Sequence, residues 1–178
     1  RKHLSYNQFG DLATQVAKGL RNIGVEKGDR VAIIIDNSVQ WAALSYGANA
    51  LGAAYTAMYT HQHGKDWAYI IADATPKVVA VANTEVLDKL CGALPADGWP
   101  ASGVILLGDE PANQLPPEGV EVRSWMEFTQ EGRASADLEE IADDPSALST
   151  LIYTSGTTGN PKGVMLSNWN TLSNVLCV

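Results

Sequence analysis

Cysteine is nearly missing from this 178-residue chain: Cys91 and Cys177 are the only two, far apart and in no metal or redox spacing. That excludes a disulfide scaffold and a cysteine-rich zinc module, and it suits a reducing, cytoplasmic setting. Histidine is almost as scarce. His61 and His63 have the alternate spacing that puts two imidazoles on one face of a strand, but nothing nearby completes a ligand set and the third histidine is His3. We read the pair as rim or packing residues and expect no bound metal there. Positive charge is short as well, with 12 Lys and Arg against 20 Asp and Glu, a net charge of −8. That sign disfavours nucleic acid and an anionic membrane as main partners.

Between Asn37 and Gly64 no Asp, Glu, Lys or Arg occurs. The stretch is nevertheless no transmembrane helix, because its residues are mostly small, polar Asn37, Gln40, Asn49 and Gln62 interrupt it, and Gly52 splits it. Peripheral contact with a membrane stays open. No signal peptide pattern is visible, although the chain starts at Arg1 and a leader before it stays open too. The nucleophile elbow G-x-S-x-G is absent and no histidine follows Ser155, which excludes a serine-hydrolase reading of that residue. A Walker A loop is missing as well: Pro161 stands where glycine would be needed, and Gly163 where Ser or Thr would be needed.

What is present is a globular composition, 46% hydrophobic, on a chain long enough to bury roughly 70% of its unfolded surface. Ser5 and Gln8 form a capping box ahead of an apolar stripe, Phe9, Leu12, Ala13, Val16, Leu20 and Ile23, with Gly24 as the residue that ends the helix. Val31 to Ile35 is a continuous β-branched run typical of a strand buried on both faces. Asn37 or Ser38 then caps a helix from Val39 to Leu51. Ala53 to Tyr59 reads as a strand, Lys65 to Ala72 as a helix, Val78 to Ala82 as a strand, Thr84 as the cap of a helix to Leu90, and Val104 to Leu107 as a strand. Alternating strands and helices imply an α/β fold with a mostly parallel, doubly wound sheet flanked by helices. Ligands of such sheets bind at the carboxyl ends of the strands, which makes Asp36-Asn37 and Thr60-His61 expected cleft-rim residues. Trp41, Tyr46 and Tyr55 read as core aromatics. From Gly92 to Gly119 the chain is rich in proline and loops. Ser124 and Glu127 form a second capping box, with Trp125, Met126 and Phe128 in the helix it opens. The run from Glu131 to Asp144 holds six acidic residues against Arg133 alone, and we expect a solvated connector.

The densest signal comes late: Tyr153-Thr154-Ser155-Gly156-Thr157-Thr158-Gly159-Asn160-Pro161-Lys162-Gly163. Apolar strand signals flank it, Ser149 to Ile152 before and Val164 to Leu166 after. Its glycines let backbone N–H groups approach an anion without a Cβ in the way, and successive N–H groups form an anion-binding nest. The hydroxyls of Thr154, Ser155, Thr157 and Thr158 add donors, and Lys162 adds a full positive charge. A hydroxyl-rich surface hairpin would account for the glycines but not for the lysine among four hydroxyls. Polyphosphate is the ligand this composition fits.

This motif resembles the phosphate-loop signature of the adenylate-forming superfamily, which includes acyl-CoA synthetases, adenylation domains of peptide synthetases, and luciferases. Leu4-Ser5-Tyr6 and the run from Gly24 to Ile33 are similar to the opening of those enzymes. The likeness spans the chain and weakens between Cys91 and Asp144. It implies that residues 1–178 are a partial, N-terminal adenylation (AMP-binding) domain whose C-terminal remainder is not in this chain, and that the 178 residues alone are inactive. It implies further that a carboxylic acid, with fatty acids favoured, attacks ATP to give acyl-AMP and pyrophosphate, and that the acyl group passes to coenzyme A, with Mg²⁺ bridging phosphates. Loading of a carrier protein is the alternative within the superfamily; a noncatalytic polyphosphate-binding scaffold is the alternative outside it. By the same resemblance Thr154, Ser155, Gly156, Thr157, Thr158, Gly159 and Lys162 bind the nucleotide, with Lys162 and Thr158 catalytic. Many relatives carry histidine after the Leu-Ser that follows the loop, where this chain has Asn168.

Overall fold

The computed structural model describes residues 3–100, 102–110, 112–139, 144–154 and 160–176. Among the described residues six helices and seven strands follow one another: α1 Tyr6–Asn22, β1 Arg30–Ile34, α2 Val39–Ala50, β2 Ala54–Met58, α3 Gly64–Ala74, β3 Val78–Val81, α4 Thr84–Cys91, β4 Val104–Leu106, β5 Val122–Ser124, α5 Trp125–Ala134, β6 Leu148–Thr154, β7 Lys162–Ser167 and α6 Asn168–Leu176. The strands form one sheet in the order β5-β4-β3-β1-β2-β6-β7. All neighbours run parallel except β6 and β7, which pair antiparallel. The expected α/β, doubly wound, mostly parallel sheet is therefore present, with one antiparallel hairpin at its edge.

Burial on both faces explains the unbroken apolar runs of the central strands. On one face Val31, Ile33, Val78, Ala80 and Ile105 pack against Val16 and Leu20 of α1, Leu44 of α2 and Phe128 of α5. On the other, Ala32, Ile34, Val79 and Val81 meet Trp67 and Ile70 of α3 and Leu87 and Leu90 of α4. Helix α5 approaches α1 so closely that a Cβ built on Gly132 would stand 2.0 Å from the carbonyl oxygen of Gln15. Only glycine fits there.

Helix starts follow the capping residues. Both capping boxes form, Ser5 with Gln8 and Ser124 with Glu127, and Ser38 accepts from the Trp41 amide. Helix α4 differs from expectation: Asn83 is its cap, accepting from the Val86 amide at 2.9 Å, while Thr84 is the first helical residue and buried. A side-chain carbonyl at Asn83 bridges the same distance a hydroxyl would, so the start shifts by one residue. Strand β5 was not foreseen, since its three residues are half-buried and carry no alternation. The acidic run is also less free than its charge implies. Glu131 to Ala134 finish α5, and Lys18 Nζ holds the Asp137 carboxylate at 2.7 Å, keeping it below the usual carboxylate range through hydrogen bonding and charge. Arg21 donates to the carbonyls of Ala136 and Asp137.

Among the described residues no helix is long and apolar enough to cross a membrane.

Candidate active site

The edge hairpin carries the polyphosphate motif, and the sheet shows how its ends are fixed. Thr154, the last residue of β6, pairs directly with Lys162, the first residue of β7, and Tyr153 pairs with Gly163. The two residues expected to donate to an anion at either end of the loop therefore face each other across an antiparallel ladder. Lys162 lies in a strand, not on a free loop. Ser155, Gly156, Thr157, Thr158 and Gly159, expected as nucleotide ligands, lie outside the described residues.

Strand β6 pairs with β2 only at Thr150 and Leu151. Past Leu151 the two strands part, and a cleft of about 780 Å³ opens at the carboxyl ends of β1, β2 and β6. Thr154 and Tyr153 form one wall, Met58 and Tyr59 another, and Asp36 and Asn37 the rim after β1. Of the expected rim residues, Asp36 and Asn37 line the cleft, whereas Thr60 and His61 are not among its lining. Thr60 donates a 2.7 Å hydrogen bond to the Asp36 carboxylate, tying the loop after β2 to the loop after β1. His61 and His63 are exposed, and His63 precedes α3 without a side-chain cap. Among the described residues no three His, Cys, Asp or Glu side chains gather at metal-holding distance.

Lys162 is the one charged residue of the sequence from Ser146 to Val178. Lys162 is exposed and makes no ion pair among the described residues, where the ion pairs are Lys18–Asp137 and Arg123–Glu121. Thr154 is exposed beside it. A hydroxyl and an uncompensated ammonium at the mouth of a cleft are set to receive an anion.

Two aromatics expected in the core pack against it and also line the cleft. Trp41 and Tyr55 are half-buried and stand edge to face, ring centroids 6.0 Å apart. They also border a second cleft of about 800 Å³ between α2 and α6. Tyr46 is 64% exposed, held edge to face against Phe9 at 5.5 Å. All three sit where the apolar face of the sheet ends, so an apolar run alone could not separate lining from core. Asn168 begins α6. Its side-chain amide donates to the carbonyl of Asp144 at 3.1 Å, and its backbone amide donates to the carbonyl of Ala147. It fastens α6 to the approach of β6.

One long-range contact at the cleft was not read from the sequence. The Tyr153 hydroxyl donates to Asp73 Oδ2 at 2.6 Å, across 80 residues of chain. Burial, the Asp73 hydrogen bond and its charge push the Tyr153 phenol well above the ordinary tyrosine range. Nothing in the α3 sequence marks Asp73, which reads as one more surface carboxylate; the only available signal was an aromatic at the loop's entrance.

Comparison with known proteins agrees with this geometry. The family model described as AMP-binding enzyme matches residues 1–178. The long-chain-fatty-acid–CoA ligase ACSBG1 of Macaca fascicularis is 34% identical over 176 residues, covering 95% of this chain and 23% of that protein. Human long-chain-fatty-acid–CoA ligase ACSBG2 is 31% identical over 172 residues, covering 94% of this chain and 25% of that protein. The chain therefore spans about a quarter of the length of the curated relatives it matches. Among solved structures, ATP-bound MatB from Rhodopseudomonas palustris superposes with a TM-score of 0.75 at 29% identity, over 98% of this chain and 32% of that one. By sequence, fold and loop, the chain belongs to the AMP-binding enzyme family.

Proposed function

We propose that this chain is the loop-bearing, N-terminal part of the adenylation domain of an ATP-dependent fatty acid–CoA ligase. The observation that carries the reading is the pairing of Thr154 with Lys162 at the mouth of a cleft formed by the carboxyl ends of parallel strands. The fatty-acid class is drawn from relatives named as long-chain-fatty-acid–CoA ligases.

The chemistry asks little covalent work of the chain. A carboxylate oxygen attacks the α-phosphorus of ATP, the bond to the β-phosphate bridging oxygen breaks, and pyrophosphate leaves. The sulfur of coenzyme A then attacks the acyl carbon and AMP departs. Carboxylate is a poor nucleophile and pyrophosphate is highly charged, so catalysis rests on positioning and on charge stabilisation. In this reading Thr154, Ser155, Gly156, Thr157, Thr158, Gly159 and Lys162 cradle the β- and γ-phosphates, and the Lys162 ammonium and the Thr158 hydroxyl meet charge that grows on the leaving oxygens. The described residues offer donors here but no carboxylate cluster, so Mg²⁺ would arrive on the phosphates and neutralise part of their charge. Residues completing the site for adenine, acid and coenzyme A belong to the rest of the enzyme, and the 178 residues alone would not turn over.

The test is ATP–pyrophosphate exchange by the whole protein across a panel of acids. Exchange that depends on a long-chain fatty acid, followed by acyl transfer to coenzyme A, is the expected result. Exchange with amino acids only, or acyl transfer to a carrier protein only, would replace this reading with another activity on the same loop.

A further inference from the structure

Past Leu151 strand β6 has no neighbour on the β2 side, and Ile152, Tyr153 and Thr154 line the open cleft. Something must keep the two ends of the loop at a fixed height above the strand ends. Among the described residues of β6 past Leu151, one side-chain hydrogen bond reaches the rest of the chain, that from Tyr153 to Asp73 near the end of α3. The ring of Tyr153 packs into the core beneath α3. It also lies across the partner strand: a Cβ built on Gly163 would stand 3.0 Å from Tyr153 Cζ and 3.2 Å from its hydroxyl oxygen. Tyr153 precedes Thr154 and Gly163 follows Lys162, so this single ring touches the backbone next to both donors.

We propose that Tyr153 and Asp73 form a positioning latch that holds both stems of the phosphate loop at the cleft mouth, acting through Thr154 and Lys162 without touching substrate. The proposal rests on the nucleotide reading above. Glycine at 163 belongs to the same device, since a side chain there would lift the ring. The latch predicts a division of labour. Loss of the hydroxyl should loosen the grip on the nucleotide's phosphates and leave the acid's site alone.

The experiment uses the whole protein with Tyr153→Phe, Asp73→Ala, Asp73→Asn and the Tyr153→Phe/Asp73→Ala pair. Nucleotide binding is read by ATP titration, and turnover by the KM values for ATP and for acid. Tyr153→Phe and Asp73→Ala should each weaken ATP binding and raise its KM about three- to tenfold, the scale of one net hydrogen bond. The KM for acid should stay within twofold. The pair should be no worse than either single change, because both remove one contact. Asp73→Asn keeps an acceptor for the phenol and should recover most of the loss, which a merely structural role for α3 would not produce. Wild-type binding with unchanged affinity in Tyr153→Phe and Asp73→Ala would overturn the latch while leaving the nucleotide reading intact. Equal rises in both KM values, or additive effects in the pair, would also overturn it. If the wild-type protein binds no ATP, the nucleotide reading fails first and the latch falls with it.

Discussion

At the scale of single residues, the hairpin stem shows how narrow the tolerance is where the Tyr153 ring lies against the partner strand. Gly163 is required by the Tyr153 ring, not by backbone freedom, and Gly163→Ala should cost about 1 kcal/mol by overpacking. A melt of the variant against wild type, expected a few degrees lower, checks this. Tyr153 also makes a pH prediction. Its phenol sits above the unfolded value of 10.0 because burial, then the Asp73 bond, favour the protonated form. A raised folded-state value adds stability that is complete below pH 10 and is lost as pH rises beyond it. Alkaline titration of tyrosinate absorbance should therefore show one phenol ionising late or only with unfolding, and Tyr153→Phe should abolish that late step. The residues of the motif were legible because their chemistry is dense: hydroxyls, glycines and one lysine in eleven positions. Asp73 was not legible, because its role depends on a tyrosine 80 positions away and on no local pattern.

At the scale of elements, local rules carried most of the reading. Capping boxes at Ser5 and Ser124 and continuous β-branched runs fixed helix starts and central strands, because burial on both faces leaves little freedom. Edges were harder. Strand β5 has three half-buried residues, and the cap at Asn83 displaced Thr84 by one position. Trp41, Tyr46 and Tyr55 stand at the margin of the apolar face, where composition does not separate wall from core. Helices α1 and α5 pack closely at Gly132. Gly132→Ala would drive a methyl into the Gln15 carbonyl, so the helices must separate. A loss of about 1–3 kcal/mol is expected. Urea unfolding of the 178-residue chain measures it, and an unchanged midpoint would show that α5 docks less closely than described.

At the scale of the whole molecule, the sheet, the cleft and the hairpin form one arrangement. Parallel strands end together, β6 leaves β2 at Leu151, and the gap places Thr154 and Lys162 at the rim. The apolar residues Trp169, Leu172 and Val175 of α6 line the second cleft. In the function proposed, Lys162 serves transferring phosphates and not the fold. An exposed lysine with no ion pair among the described residues adds little stability. Pre-steady-state formation of acyl-adenylate by the whole enzyme, measured for wild type and Lys162→Ala beside their thermal melts, tests this most directly. The adenylation rate should fall about 10²–10³-fold, the scale of one lost preorganised donor, with ATP affinity falling less and the melting temperature nearly unchanged. Adenylation at the wild-type rate, or unfolding of the variant, would contradict it.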